Sequence, residues 1–287
     1  MKLKPFTVQQ KHYIARGNVL TEQLSEKVTH ALGVTKQRVN PKRHHYIVSD
    51  PGAGKTYTVQ KIADLYKIPL VKIQGAASMN AIIVYLATIA YTRTDKKLFI
   101  WIDDCDYIFM DNSSLSVMKG AIDEDRNILV WNKNMATQIL IYENSSNESD
   151  KIKAEALRSY QPPGSVGVEI PTDNMTFIIT SNRFLTKPNS DLDTHRKMNE
   201  AAIRDRVIYT HYNLSAGESW GWVASILLST RKILGLNKEK KQILLDWMYV
   251  NWDKLPAVSM RAVSELAGDM VNHPDDYPDY WDAVLDK

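Results

Sequence analysis

The residues of this chain best suited to chemistry run from Ser49 to Thr56 and read Ser-Asp-Pro-Gly-Ala-Gly-Lys-Thr. They follow an apolar stretch, Tyr46-Ile47-Val48, that predicts a strand, and they precede a helical pattern. Small residues let successive backbone N–H groups turn towards phosphates, with the positive end of the following helix behind them. We therefore predict a phosphate-binding loop whose binding residues are Ser49, Asp50, Pro51, Gly52, Ala53, Gly54, Lys55, Thr56 and Tyr57.

Lys55 and Thr56 carry the charge and the metal chemistry of this loop. The Lys55 ammonium would reach the β- and γ-phosphates, and the Thr56 hydroxyl would hold Mg²⁺. The loop fits the pattern GxxxxGK[ST] except at its first position, where Ser49 replaces glycine. A positive φ at Ser49 would cost about 1 kcal/mol. A chance turn before a surface helix is the alternative, and the order of strand, loop and helix favours phosphate binding.

Two adjacent carboxylates, Asp103 and Asp104, follow the apolar run Leu98-Phe99-Ile100-Trp101-Ile102. In a parallel α/β sheet the carboxyl ends of the strands face the ligand crevice. Asp103 would support the Mg²⁺ shell, and Asp104 would polarise the attacking water. The competing interpretation is a pair of helix-capping aspartates.

Apolar strands alternate with helices through the middle of the chain, which predicts an α/β fold with a parallel sheet covered on both faces. An amphipathic helix is predicted before it, at residues 19–32, and helices at 219–234, 238–252 and 259–271, followed by a short turn at 280–285, form a helical lid. The other predicted strands are 68–73, 98–102, 175–181 and 207–212, and the other predicted helices are 57–66, 81–91 and 195–204. The predicted domains are therefore an N-terminal helical segment (1–42), the α/β domain (43–213) and the lid (214–287).

Residues 127–170 interrupt the alternation of strands and helices. The apolar stretches 128–131 and 166–170 predict the two strands of a β-hairpin insertion. Between them, the charges of the polar stretch 144–161 nearly balance, which predicts a solvated and mobile tip.

The composition is that of an ordinary globular protein, with 44% hydrophobic and 24% charged residues and a net charge of +3. No run of residues reaches the roughly 18 apolar positions that cross a bilayer, so we expect a cytoplasmic protein without a membrane partner. The single cysteine, Cys105, excludes an internal disulfide and is expected to pack as a small side chain. The basic cluster Lys42-Arg43-His44-His45 is expected to be the solvated start of a strand.

These motifs together resemble the AAA+ ATPases over residues 40–272. The phosphate loop is similar to the family's GPPGTGKT, the strand ending in Asp103 and Asp104 to its hhhhDE motif, and Thr180-Ser181-Asn182 to its sensor 1. The resemblance implies ATP and Mg²⁺ as cofactors, with Asn182 orienting the lytic water beside Asp104.

The resemblance also implies three arginine roles. Arg206 takes the position of the arginine finger that points into the neighbouring subunit's ATP, with Arg204 as the second candidate. Ser259-Met260-Arg261 resembles sensor 2, so Arg261 would reach the γ-phosphate of its own subunit. A homo-oligomeric ring, with a hexamer as the expected size, follows from this resemblance.

The substrate is left open by these motifs. Gly75-Ala76-Ala77-Ser78-Met79 lacks the aromatic residue of threading unfoldases, whereas the hairpin resembles insertions of MoxR-like, McrB-like and helicase-related branches, and the compact chain resembles small AAA+ proteins of bacteriophages. We expect an ATP hydrolase that remodels a protein or protein–DNA assembly, with a protein client and with DNA as a further candidate partner.

Three alternatives to a remodelling ATPase stay open. The first is a DNA-directed motor, helicase or clamp loader. The second is an ATP-gated scaffold with weak hydrolysis, because Asp104 replaces the usual glutamate and is one methylene shorter. The third, a small-molecule kinase, leaves Arg206 and Arg261 without a role.

Overall fold

The computed structural model of the chain describes residues 5–34, 43–52, 54–75, 78–94, 97–188, 194–212, 214–229 and 235–285. The chain forms two compact units. The helical unit comprises Met1–Thr29, Ser49–Ile62 and Tyr212–Lys287, and the sheet unit comprises His30–Val48 and Ala63–His211. The domain boundaries at residues 42 and 213 stay a prediction. Positions named above that lie outside the described residues are Lys42, Ala53, Ala76, Ala77, residue 213 and residues 230–234.

Seven strands are described, and five of them form one sheet. They are β1 (His45–Ser49), β2 (Leu70–Gln74), β3 (Leu98–Asp103), β4 (Ile128–Trp131), β5 (Val168–Pro171), β6 (Met175–Ser181) and β7 (Ile208–Tyr212). The sheet has the order β2-β3-β6-β1-β7, and β2, β3, β6 and β1 pair in parallel. β4 and β5 pair with each other in antiparallel fashion. The α/β fold with a parallel sheet and a hairpin insertion is thereby confirmed.

The strands in the middle of the sheet are buried, as expected for a parallel sheet with helices packed on both faces. All seven residues of β6 and five of the six in β3 are buried, as expected for strands with helices on both faces. The register pairs Asp103 with Thr180 and Val48 with Ser181. The carboxyl ends of β1, β3 and β6 therefore lie at one edge of the sheet, and the phosphate loop begins at the residue after Val48.

Eleven α-helices and one short 3-10 helix, Asp106–Phe109, are described along the chain. The α-helices are α1 (Val8–Ala31), α2 (Lys55–Tyr66), α3 (Met79–Thr92), α4 (Asn112–Ala121), α5 (Ala136–Glu143), α6 (Glu148–Ser159), α7 (His195–Arg206), α8 (Ala216–Ser229), α9 (Lys238–Asn251), α10 (Met260–Asn272) and α11 (Tyr277–Leu285). α4 is absent from the predicted elements. Its cap is Asp111, which accepts a hydrogen bond from the backbone of Ser114 at 2.9 Å. Within the described ranges, each helix is too short or too polar to span a lipid bilayer.

The segment between β4 and β5 is helical, which corrects the prediction of a solvated, mobile tip at 144–161. Asn147 caps α6 by accepting a hydrogen bond from the Ser149 backbone at 2.9 Å. Ala154, Ala156 and Leu157 bury one face of this helix, which packs against α3. The balanced charges lie on the opposite face, so charge counting alone missed an amphipathic helix.

α1 in the helical unit is longer than predicted and packs closely on α8. A Cβ placed on Gly17 of α1 would lie 2.2 Å from the backbone carbon of Gly221 in α8. Only glycine at this crossing lets the two backbones come so close. The core of this unit is aromatic and aliphatic, with Trp220 and Leu244 both fully buried.

The basic cluster at the start of β1 is packed, which corrects the expectation of a solvated segment. His44 and His45 are 0% and 1% exposed. The Arg43 guanidinium donates hydrogen bonds to the backbone carbonyls of Asp173 at 2.6 Å and Thr172 at 2.9 Å. These contacts join residues distant in the chain, and for that reason the charge run by itself did not reveal them.

Candidate functional site

The phosphate loop turns directly out of β1 into α2. Ser49 is fully buried, and it is not among the residues with positive φ, so the replacement of glycine at this position introduces no strain there. Lys55 is 8% exposed, and its ammonium donates to the Ser49 carbonyl at 2.9 Å, the Ser49 hydroxyl at 2.8 Å and the Asp50 carbonyl at 3.3 Å. Ser49 thus adds a side-chain oxygen to the groups that hold Lys55.

Two glycines of the loop pack against the C-terminal helices of the same unit. Gly52 has φ +87° and Gly54 has φ +70°, which glycine adopts without strain. A Cβ on Gly52 would lie 2.5 Å from the Ser259 Cβ, and one on Gly54 would lie 1.8 Å from the Trp222 ring. The backbone of the loop is therefore in direct contact with α8 and with the start of α10.

Arg261 lies in the first turn of α10, and its side chain is exposed. The cap of this helix is Ser259, whose hydroxyl accepts a hydrogen bond from Ala262 at 3.3 Å. Because Ser259 also lies against Gly52, Arg261 belongs to a helix start that contacts the loop. Thr56 and Tyr57 occupy the exposed first turn of α2.

Asp103 lies in the sheet unit, at the end of β3, and is 1% exposed. The Thr180 hydroxyl donates to Asp103 Oδ1 at 2.6 Å and accepts a hydrogen bond from the Trp101 indole at 2.9 Å. The Lys72 ammonium lies 3.2 Å from Asp103 Oδ2 and 4.2 Å from the centre of the Trp101 ring. Asp103 is therefore held in one orientation from both of its oxygens.

Asp104 is exposed and lies beside Asn182. The Asn182 side-chain amide donates to Asp104 Oδ1 at 2.8 Å. Asp104 has a φ of +54°, and its backbone N–H donates to the Thr180 carbonyl at 3.0 Å. The capping interpretation of the aspartate pair finds no support here, because Cys105 precedes the short 3-10 helix Asp106–Phe109 and Asp111 caps α4.

The two arginines considered for the finger role have different surroundings. Arg204 donates to the Leu185 carbonyl at 2.8 Å, and its guanidinium stacks 4.0 Å from the centre of the Tyr209 ring. Arg206 pairs with Asp123 at 3.1 Å and donates to the Ala202 carbonyl of its own helix at 3.0 Å. Arg206 also lines an open cleft, whereas Arg204 is not one of the residues that line it.

Cys105 follows the aspartate pair and is buried, as expected. Its thiol donates to the Gly75 carbonyl at 3.3 Å. Burial, followed by the negative charges of Asp103, Asp104 and Asp106, raises the pKa of the Cys105 thiol to about 11. The thiol is therefore protonated near neutral pH, and it is a poor nucleophile.

The sequence also matches the model of a known protein family. The model of the ATPase family associated with various cellular activities (AAA) matches residues 45–202, more than half of the chain. The chain belongs to the AAA family of ATPases. The matched segment contains the phosphate loop, both aspartates and Asn182, and it ends before Arg204, Arg206 and Arg261. No curated protein matches the chain.

AAA ATPases are P-loop enzymes that use ATP with Mg²⁺, and the donor groups of this AAA chain fit that pair. Backbone N–H groups, positive-φ glycines and a buried ammonium suit phosphate oxygens. The Thr56 hydroxyl in the helical unit and the Asp103 carboxylate in the sheet unit are each an oxygen group of the kind that Mg²⁺ binds. Among the described residues, no three His, Cys, Asp or Glu side chains gather into a metal cage. Mg²⁺ characteristically binds through one or two carboxylates together with substrate phosphates, so no cage is required.

Two ion pairs of the AAA chain were not predicted. Lys72 pairs with Asp103, and Asp123 pairs with Arg206. Each contact links residues from different elements, with 83 positions separating Asp123 from Arg206. Lys72 is a single lysine within an apolar strand. Such a lysine is a signal that a buried or half-buried acid lies nearby, because its charge needs a partner.

Proposed function

We propose that the chain binds and hydrolyses ATP within an oligomeric ring and uses this reaction to remodel a protein or protein–DNA assembly. The observation that carries the proposal is the hydrogen bond of 2.8 Å between Asn182 and Asp104. An amide and a carboxylate held together can orient and polarise one water molecule. A scaffold that only binds ATP has no need of this pair, so the pair favours hydrolysis.

Phosphate binding is assigned to the loop and to Lys55. The Lys55 ammonium donates to uncharged oxygens of Ser49 and Asp50. Phosphate oxygens are charged and form stronger hydrogen bonds with an ammonium group. We therefore expect Lys55 to donate to the β- and γ-phosphates of ATP, while the positive end of α2 and the loop N–H groups bind the remaining oxygens.

Thr56 and Asp103 are the residues that would hold Mg²⁺. Mg²⁺, when bound, neutralises charge on the β- and γ-phosphates. The hydrogen bond from Thr180 fixes the Asp103 carboxylate at 2.6 Å, so its position needs little adjustment for an ion. A rigid ligand lowers the entropy that is lost on binding.

Asp104 is the proposed general base. Its carboxylate would accept a proton from the water whose oxygen attacks the γ-phosphorus, as the bond to the β-phosphate oxygen breaks. The amide of Asn182 keeps the carboxylate in place and can also orient the water. Because aspartate is one methylene shorter than the glutamate of the family motif, we expect a slow basal turnover.

Arg206 is the proposed arginine finger, since Arg204 is committed to packing. Moving Arg204 would break a hydrogen bond to Leu185 and a cation–π contact with Tyr209. Moving Arg206 breaks an ion pair with Asp123 and a hydrogen bond to the Ala202 carbonyl of its own helix, at a side chain that is about one third exposed. Partly exposed ion pairs contribute little, so Arg206 is the easier of the two to redirect towards a neighbouring subunit.

Mixing two inactive variants tests the role of Arg206 in the ring. Lys55→Ala removes phosphate binding, and Arg206→Ala removes the finger while leaving the loop intact. Each variant alone should lose at least about 100-fold in turnover. A mixture should regain part of the activity, because a Lys55→Ala subunit still offers Arg206 to the ATP of a neighbouring Arg206→Ala subunit. The measurement is phosphate release at several protein concentrations and mixing ratios.

Two outcomes would contradict the proposal. One is a mixture that stays inactive although the two variants co-assemble in sedimentation velocity. The other is an Arg206→Ala variant that no longer binds ATP, since a finger acting on a neighbour leaves the subunit's own affinity nearly unchanged. As a matched control, Arg158→Ala removes an exposed arginine of α6 and should leave turnover unchanged.

The client and the cellular location belong to the same proposal. A protein client in the cytoplasm is our first expectation, and turnover that rises on adding DNA alone would instead favour a DNA-directed motor. We propose that the ring contains six subunits. Light scattering with ATP bound measures this number directly.

A further inference from the structure

A cleft of about 640 Å³ opens in the sheet unit beside α4, β4 and the end of α7. We call it the basic cleft and define it by Lys119, Arg126, Trp131 and Lys133. Its volume falls in the range of about 300–1,000 Å³ that is typical of ligand pockets. None of these residues has a role in the proposed function.

Three cations of the basic cleft lack a carboxylate partner among the described residues. Lys119 donates to the neutral side-chain oxygen of Asn199 at 3.1 Å, and the Lys133 ammonium lies 4.9 Å from the centre of the Trp131 ring. Arg126 is exposed, and its side chain forms no described ion pair. The positive charge of this surface is therefore not neutralised by the residues around it.

Asp123 is the acidic residue that lines the cleft, and its carboxylate already accepts hydrogen bonds from other groups of the chain. Its Oδ2 accepts from Arg206 at 3.1 Å, and its Oδ1 accepts from the backbone of Asp125 at 3.2 Å and of Arg126 at 3.4 Å. Asp123 thus compensates for Arg206 and not for the three cations of the basic cleft. An anion from outside the described residues would find them available.

Trp131 supplies a second and independent observation. Trp131 is one of the residues that line the cleft, its side chain is 3% exposed and belongs to the hydrophobic core next to it, and its indole Nε1 has no hydrogen-bond acceptor among the described residues. A buried donor without an acceptor is unfavourable by about 1–3 kcal/mol, and a bound ligand that brings an acceptor would remove this penalty. The cleft therefore has the charge and the unsatisfied donor of a binding site for an anion.

We propose that the basic cleft binds phosphate groups carried by single-stranded nucleic acid. Hydroxyl and amide side chains, namely those of Ser113, Ser116 and Asn132, line the cleft and are common donors to phosphate oxygens. Val117, Ile128 and Val130 give it an apolar wall. A nucleotide joins a flat aromatic base, whose face can pack on apolar side chains, to a charged phosphate, and so suits cations beside an apolar wall.

The test uses the full chain without ATP and a fluorescein-labelled oligothymidylate, with binding followed by fluorescence anisotropy at several salt concentrations. The double variant Arg126→Gln/Lys133→Gln should weaken binding at least about tenfold. It should also lower the slope of log affinity against log salt by about 1.4, because each phosphate contact of a single strand contributes about 0.7. The matched control, Lys151→Gln/Lys254→Gln, removes two exposed lysines elsewhere and should change neither quantity.

Trp131→Phe separates the indole donor from general charge. This variant keeps an aromatic side chain, although a smaller one, and loses the N–H, so binding should weaken while the salt slope stays the same. Circular dichroism melting curves establish that each variant is folded. If the double variant does not fold, Lys133→Gln alone should lower the salt slope by about 0.7.

Three results would overturn the inference. The first is equal binding by the parent and the double variant. The second is displacement of the oligonucleotide by polyglutamate at the same charge concentration, which would indicate an acidic protein partner. The third is inhibition by inorganic phosphate or by a mononucleotide as strong as that by the oligonucleotide, which would indicate a small phosphate compound. All three are independent of ATP hydrolysis, so failure here leaves the proposed function untouched.

Discussion

The side-chain amide of Asn182 donates a hydrogen bond of 2.8 Å to the carboxylate of Asp104. Asp104 holds a φ of +54°, a region in which aspartate and asparagine are tolerated better than most residues. Such a conformation persists where neighbouring contacts enforce it, and here the Asp104 N–H donates to the Thr180 carbonyl at 3.0 Å. The backbone and side-chain bonds together fix the direction of the carboxylate.

Asp104→Asn should abolish most of the ATP hydrolysis without unfolding the protein. Asparagine has the same size and accepts the same φ, but its amide cannot take a proton from water. Turnover should fall at least about 100-fold, and ATP affinity should stay within about twofold. Steady-state phosphate release and calorimetric ATP binding measure the two quantities. A variant as fast as the parent would exclude Asp104 as the general base, and Asp253→Asn, at an exposed turn, serves as the control.

Lys72→Met should lower the Mg²⁺ concentration required for ATP-dependent stabilisation. The Lys72 ammonium lies 3.2 Å from Asp103 and thus competes with a cation for the same carboxylate. Lys72 is about one third exposed, so the change should be modest, about two- to fivefold, which corresponds to about 0.4–1 kcal/mol. Thermal melting with ATP across a Mg²⁺ titration measures it.

Removal of Mg²⁺ with EDTA tests the same contact between Lys72 and Asp103 without the competing ion. In EDTA, Lys72→Met should melt at a lower temperature than the parent, because the buried Asp103 carboxylate has then lost its cationic partner. Added Mg²⁺ should close this gap. Identical melting of both proteins in EDTA and in Mg²⁺ would show that Lys72 has no influence on Asp103. Lys61→Met, at an exposed position of α2, is the control.

Strong periodicity made parts of the fold predictable from the sequence. The strand predicted at 175–181 coincides with β6, and the helix predicted at 195–204 ends only two residues before α7 does. Continuous apolar runs mark buried strands, and Thr194 supplies a helix cap. α6 was missed because its buried residues are mostly alanines, which contribute weakly to a hydrophobic pattern.

The motifs predict candidate site residues by type, but they give no information on which side chains those residues contact. A motif identifies Asp103 and Arg206, but the ion pairs with Lys72 and Asp123 depend on how separate elements pack. Charge along the chain gives no information on which cation meets which carboxylate. The different surroundings of Arg204 and Arg206 likewise arise from tertiary structure.

Gly17→Ala should destabilise the protein through the contact between α1 and α8. The added methyl group would lie 2.2–2.4 Å from backbone atoms of Gly221 and Trp222, and backbone cannot move aside as a flexible side chain can. Overpacking of this kind typically costs about 1–3 kcal/mol of the free energy of unfolding. Urea denaturation followed by circular dichroism measures the change.

Gly268→Ala is the matched control for this substitution. Gly268 lies inside α10, and a Cβ at this position meets no atom within 4 Å. Alanine should therefore raise the free energy of unfolding by up to about 1 kcal/mol through its higher helix propensity. Equal effects of the two substitutions would mean that the close approach of α1 to α8 is not responsible.

The pH dependence of stability should contain a contribution from His44. This residue is fully buried beside Phe177, whose backbone N–H donates to its Nδ1 at 3.1 Å. Burial, followed by the charges of Arg43 and His45, lowers the pKa of His44 to about 3 from its usual value of 6.5. In the unfolded chain the imidazole takes up a proton below about pH 6.5, whereas in the folded chain it stays neutral.

Acidification should therefore favour unfolding in the range between these two pKa values. Above about pH 6.5 the imidazole is neutral in both states and contributes no pH dependence. Below it, the free energy of unfolding should fall by up to about 1.4 kcal/mol per pH unit until the folded-state pKa is reached. His44→Asn keeps a hydrogen-bond acceptor and cannot titrate, so its stability should fall less steeply between pH 6.5 and 4. Parallel curves for the two proteins in urea denaturation would contradict the assignment, because the carboxylates contribute equally to both.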